Sequence, residues 1–274
     1  MKTFILITAI LISQIACQKK ELDTDATKTA KTGVKAVNKQ GKSLHAGFTA
    51  LLSKHVKKGM LSYKGIQKDE ALLDAYLKEL ENTDTSKLTA NQGLAFWINA
   101  YNAFTIKLIL SKYPEIDGIK DIPKRWDLDQ WNAGGKNYSL NHIEHKILRV
   151  KYDDPRIHFA IVCASISCPS IANRAYEADT VDAQLTQGAK AFFANSEKGF
   201  TSTTGKTFTG KAKYTISISK ILKWFSEDFE RNGSKIDFIL PFLPEKEQAF
   251  VKKHKDDLSI DYLTYNWKLN DAKD

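Results

Sequence analysis

Cysteine, proline and methionine are scarce: the chain has three, six and two of them in 274 residues. So few cysteines exclude a small disulfide-rich scaffold, and so little proline excludes a collagen-like or Pro-rich chain. The apolar run near the N-terminus, Phe4 to Ile12, is too short for a membrane-spanning helix, which needs ~20 residues. There is no Arg-rich block and no nucleic-acid motif. The formal charge of +9 comes from scattered lysines, so a nucleic-acid partner is not expected. What the chain does have is 42% hydrophobic and 11% aromatic residues, enough for a packed core.

The N-terminus points to a compartment. Lys2 precedes an apolar run, Phe4 to Ile12, and Ser13-Gln14-Ile15-Ala16-Cys17 follows. This pattern reads as a lipoprotein signal over residues 1–16, with Cys17 lipidated after cleavage. Gln14 departs from the usual leucine of that motif, and an ordinary secretory signal is the alternative. Residues 17–42 hold seven lysines against Glu21, Asp23 and Asp25, and no aromatic residue. They are expected to form a disordered tether. The expected location is therefore the bacterial cell envelope, with the membrane as a partner through Cys17 and an unknown envelope substrate or partner.

Residues 43–270 read as one helix-rich α+β domain with a small, mainly antiparallel sheet. Leu44, Phe48, Leu51, Leu52 and Val56 fall at helical spacing, and Lys58-Gly59 ends that helix. Leu61 to Ile66 reads as an extended connection. A second helix over 71–80 has the stripe Leu72, Leu73, Tyr76, Leu77 and Leu80. Thr89 caps a long helix that is apolar nearly all round and so central to the core. Asn99 and Asn102 share one face of it, where they either bond backbone or orient a catalytic group. The region from Tyr113 to Tyr138 reads as a loop whose Trp126 and Trp131 form a lid. Ser139 caps a helix to Val150, with Glu144 and His145 off its apolar stripe. Further helices are expected over 181–195, 221–229, 236–243 and 244–254, and a hairpin over 199–217. The aromatic tail 260–267 packs back on the domain. His45, His55 and His254 read as solvated.

The chemistry gathers in Ile157 to Ser170. The apolar run Ile157 to Val162 follows Asp154-Pro155 and reads as a buried strand. Cys163 and Cys168 come directly after it. In a regular strand His158 and Cys163 project to opposite faces.

Four segments together, LAFWINAYNAFTIKLIL, YSLNHIEHKILR, DPRIHFAIVCASISCPS and DYLTYNWKLN, resemble the domain of unknown function 547 family. The resemblance covers roughly Leu44 to Leu269. It supports the domain boundaries but implies no reaction and no cofactor. Family members occur in secreted bacterial proteins and in eukaryotic multidomain proteins, so the resemblance argues against a purely envelope-specific role.

Three readings of the site stay open. In the first, Cys163 is a nucleophile, His145 its base and Asn102 the orienting group, with Cys168, His158 and Asn99 as alternates. Such a site suits hydrolysis or transfer at peptide or amide bonds. Arg156 and Arg174 would hold an acidic substrate group, although ion pairs of the flanking arginines to Glu144, Asp153 or Asp154 explain them as well. In the second, Cys163 and Cys168 form a disulfide in a non-catalytic binding or scaffold module. In the third, Cys163, Cys168, His145 and His158 bind zinc, but the spacing fits no finger or knuckle, so no metal is assigned.

The anchor yields a direct test. Cys17→Ala should move the protein from salt-washed membranes to the soluble fraction. Retention in that membrane fraction would exclude lipidation at Cys17.

Overall fold

The computed structural model describes residues 43–272. The signal-like segment, Cys17 and the tether lie outside the described residues. Phe48, Leu51 and Leu52 are buried on α1 (Ala46–His55). Lys58 and Gly59, with φ of 52° and 76°, turn β1 (Val56–Lys57) back onto β2 (Met60–Leu61). Glycine enters that left-handed region without steric penalty. The stretch expected to stay extended instead winds into α2 (Tyr63–Lys68). Ser62 Oγ accepts from Gly65 N at 3.1 Å, and Tyr63 and Ile66, three apart, share the buried side. On α3 (Glu70–Glu81), Leu73, Tyr76 and Leu80 face inward. Leu72, expected beside them, is exposed.

Helix α4 (Ala90–Leu110) is the centre of the core. Thr89 and Gln92 form a capping box at its start, satisfying two backbone donors. Every residue from Gln92 to Ile106 is buried, so this helix has no solvent face. The loop expected after it carries a hairpin, β3 (Trp131–Ala133) with β4 (Lys136–Tyr138). Trp131 belongs to that hairpin and stacks on Phe104 at 5.2 Å. It is a core wall, and only Trp126 reaches the candidate site.

Ser139 caps α5 (Leu140–His142), accepting from His142 N at 3.2 Å. The helix then widens into a π-helix over Ile143–Tyr152. The predicted strand Ile157–Val162 does not form. Pro155 opens a 3-10 helix, Pro155–Phe159, capped by Asp154, and the residues after it run on without strand pairing. A short apolar run fits a buried strand and a buried helical turn equally well, and Pro at the first turn favours the turn. This run joins two hydrophobic clusters. Ile157 and Ala160 to Val162 pack around α4, whereas Phe159 packs among the phenylalanines of the C-terminal part.

Helix α6 (Val181–Phe193) follows, then β5 (Phe200–Lys206) and β6 (Ala212–Ile218). The single helix expected over 221–229 is broken at Phe225 into α7 (Ile221–Trp224) and α8 (Ser226–Phe229). Next come α9 (Lys235–Ile239), a 3-10 turn (Leu240–Phe242), α10 (Glu245–His254) and β7 (Leu258–Tyr262). The largest sheet has the order β5-β6-β7; β5–β6 is antiparallel and β6–β7 parallel. The fold is thus helix-rich α+β with small sheets.

The histidines expected to be solvated are engaged. His45 is buried with its Nδ1 2.7 Å from Tyr76 Oη, and burial pushes its pKa down to about 3. His55 is buried and bonds Asp69 at 2.6 Å. His254 stacks on Tyr214 at 3.6 Å.

Trp97, on α4, meets Phe96 and Tyr138 edge-on at 5.1 and 5.0 Å. Trp97→Ala should destabilise the domain by about 3–5 kcal/mol, measured by chemical denaturation. A loss under about 1 kcal/mol would remove this helix from its central role.

Candidate active site

The segment leading to Cys163 is held from two sides. From α4, Asn102 Nδ2 donates to Ala160 O at 2.9 Å and its Oδ1 accepts from Val162 N at 2.9 Å. Asn99 makes the same two-way bond to Tyr176 O and N, at 2.8 and 2.9 Å. Both amides therefore bond backbone, and neither reaches a histidine. A side-chain amide suits this role because it presents one donor and one acceptor, as a peptide group does. From the other side the C-terminal tail lies along the loop. Ile166 N donates to Lys268 O at 2.9 Å, Asn270 N to Ala164 O at 2.9 Å, and Asn266 N to Ser167 Oγ at 2.9 Å. Ala164, with φ of 60°, turns the loop between these supports.

Cys163 and Cys168 are joined in a disulfide with their Cα atoms 6.2 Å apart. This corrects the reading of Cys163 as a free thiol. Cys168 is buried and Cys163 partly exposed. Tyr265 Oη lies 3.2 Å from Cys163 Sγ and 3.4 Å from Cys168 Sγ.

The disulfide lines a cavity of about 250 Å³ shared with Glu144, His145 and His158. Aromatic side chains from the loop (Trp126), from α7 and the break after it (Trp224, Phe225) and from the tail (Tyr265, Trp267) enclose it. Tyr265 and Trp267 pack at 4.6 Å, and Trp224 sits against both at 4.7 and 5.6 Å.

Behind the cavity lies Asp228, on α8. Its Oδ2 is 2.7 Å from His158 Nε2 and 2.6 Å from Arg149 Nε. Its Oδ1 accepts from Arg149 Nη2 at 2.9 Å and Arg231 Nη2 at 2.8 Å. Burial acts to raise its pKa, but the bonds from His158 and Arg149 outweigh it and hold the carboxyl at about 2. An ionised carboxylate only accepts, so His158 Nε2 carries the proton. Burial pushes the His158 pKa down against the pull of Asp228, which keeps the ring neutral and leaves Nδ1 as its acceptor.

His145 is set the opposite way round. Arg149 Nη1 lies 2.7 Å from His145 Nδ1, and a guanidinium only donates. The His145 proton is therefore on Nε2. Burial, then the Arg149 charge, lowers its pKa. One imidazole is fixed as an acceptor and the other as a donor.

Glu144 was expected off the apolar stripe, yet it is buried. In the π-helix residues five apart share a face, so Ile143 and Leu148 turn inward together and Glu144 turns in beside Ile143. Tyr101 Oη donates to Glu144 Oε2 at 3.0 Å. Burial raises the Glu144 pKa to about 7, although Tyr101 and Arg149 oppose it.

The arginines proposed to hold substrate are elsewhere. Arg156 is bound to Asp154 at 2.7 Å and to Asp182 at 2.7 Å. Arg174 lines a different cavity with Ser170 and Gln184. No group of three or more His, Cys, Asp or Glu able to hold a metal ion occurs among the described residues, and both sulfurs of the zinc set considered from sequence are in the disulfide. Sequence reasoning missed Asp228, which is 70 residues from its histidine and stands in a plain acidic helix. It also missed Glu144, whose inward turn depends on the π register.

The folded-state pKa of Glu144, about 7, lies above its ordinary value of 4.5. Between these values the folded protein keeps a proton that the unfolded chain has lost. Stability linked to Glu144 is thus intact below pH 4.5 and falls as pH rises towards 7, by up to ~3 kcal/mol. Glu144→Gln should remove most of this fall, measured by urea unfolding at pH 5 and pH 8.5. A variant that loses stability in parallel with the wild type would show that Glu144 does not hold the proton.

No curated protein and no solved structure matches the chain. Residues 85–193 match the family model described as Protein of unknown function, DUF547, and this stretch includes α4, the π-helix and the disulfide loop.

Proposed function

We propose that this protein is a lipid-anchored envelope protein whose domain is a cysteine-dependent hydrolase or transferase acting on peptide or amide bonds, held inactive while Cys163 and Cys168 are joined. The observation that carries the reading is the His158–Asp228 pair, at 2.7 Å, whose histidine lines the same cavity as the cysteines. An ionised carboxylate fixing the tautomer of a neutral imidazole is the arrangement a thiol nucleophile requires of its base. It replaces His145 by His158 as base and Asn102 by Asp228 as orienting group.

In this reading an external dithiol reduces the disulfide. It becomes a disulfide itself, and two protein thiols form. Cys163, the more exposed, is the nucleophile. Its proton passes to His158 Nδ1, and Asp228 stabilises the imidazolium formed. The thiolate attacks the carbonyl carbon, and His145 Nε2–H supplies a donor for the developing oxyanion. The C–N bond breaks, His158 returns the proton to the leaving amine, and water or a second amine releases the acyl group from sulfur. The aromatic walls exclude water from an acyl or peptide segment.

The disulfide itself favours a second reading, a non-catalytic binding module with an aromatic pocket closed by the Cys163–Cys168 bond. Reduction followed by timed iodoacetamide labelling separates the two. The enzyme reading expects no labelling before reduction. Afterwards Cys163 should react well below the ordinary thiol pKa of about 8.5, and Asp228→Asn should suppress this reactivity at pH 6 about tenfold or more. Both thiols titrating near 8.5, unaffected by Asp228→Asn, would leave the binding module as the function.

A further inference from the structure

The β5–β6 hairpin has a part that the candidate site does not use. Strand β7 pairs with β6 only from Tyr214 to Ile218. The outer rungs, Gly205 with Lys213 and Lys206 with Ala212, therefore have no third strand beside them. The tip beyond them is a built turn. Thr207 N donates to Lys211 O at 2.7 Å, Gly210 N donates to Thr207 O at 2.9 Å, and Lys211 N donates to Thr207 Oγ1 at 3.0 Å. Gly210 takes the left-handed conformation, φ 84°. This turn presents Phe208 fully exposed.

A lone aromatic at a fixed tip costs solubility, and the charge around it is one-sided. Between Glu197 and Glu227 the chain has Lys198, Lys206, Lys211, Lys213, Lys220 and Lys223 and no acidic residue. Lys206, Lys211 and Lys213 are exposed, and none of the three joins an ion pair among the described residues. Asp256 and Asp257 stand at the base of the projection, next to the Tyr214–Leu258 rung, and not at its tip. The tip is convex and narrow, so it offers far less than the ~1,000 Å² that a specific protein interface buries. A flat anionic surface with an apolar interior suits it. One ring enters the interface, as aromatic side chains do at bilayer boundaries, and flanking lysines meet lipid phosphates.

We propose that the hairpin tip, Phe208 between Lys206 and Lys211, is a non-covalent contact for an anionic lipid surface. It is independent of the chemistry in the cavity and of lipidation at Cys17. For a chain also anchored at Cys17, it would set which part of the domain faces the bilayer.

The test uses the full chain with Cys17→Ala, which removes any lipid, and vesicles of phosphatidylcholine with or without 25% phosphatidylglycerol. Phe208→Ser should weaken binding to the anionic vesicles about fivefold to tenfold. Joint replacement of Lys206, Lys211 and Lys213 by Glu should weaken it by about a hundredfold. Binding should fall steeply with added salt. A polarity-sensitive dye on Phe208→Cys, the one free thiol beside the disulfide, should shift to the blue with anionic vesicles and not with pure phosphatidylcholine. Affinities within twofold of the parent in both variants, or a dye that does not shift, would overturn the proposal, even if the N-terminal segment itself holds the chain on the vesicles.

Discussion

Asp228 carries a full charge where water scarcely reaches. A buried carboxylate is tolerated only when donors surround it, and removing one partner typically costs several kcal/mol. Here the donors come from three places: Arg149 in the π-helix, His158 in the 3-10 helix and Arg231 just after α8. Meeting the demand of one carboxylate therefore ties α8 to the π-helix and the 3-10 helix, 79 and 70 residues away in the chain. Through Arg149 it fixes His145 as well. The tautomer of His158 follows from the charge of Asp228, and that of His145 from the guanidinium that Asp228 holds in place.

The second constraint is the loop that holds the cysteines. It has no strand partner in the main sheet, so its backbone polar groups need other bonds. Asn102 supplies two from the core helix, and the C-terminal tail bonds Ala164 O, Ile166 N and Ser167 N. The same tail then sets Tyr265 and Trp267 against the cavity. Loop support and pocket wall are one device.

Several elements were legible in the sequence because local rules decide them. Thr89 with Gln92 marks the start of α4, an apolar surface all round marks it as central, and alternating residues around Gly205 and Gly210 mark the hairpin. The run Ile157 to Val162 was misread because a buried turn and a buried strand share one composition. Glu144 was misread because a period of 3.6 was assumed where the helix is π. His45 and His55 were read as solvated although both are buried, since burial depends on what packs over a helix and not on its own neighbours in sequence.

The sequence alone determined the helix-rich α+β class, the central helix and the stretch that bears the cysteines, since propensity, capping and periodicity act over a few residues. Only the tertiary structure decided which groups meet. It paired Cys163 with Cys168, turned Asn102 to backbone and brought Asp228 to His158 across 70 residues. The physical reason is that a buried polar group must be satisfied by whatever the fold brings within about 3 Å. Chain separation says nothing about that distance.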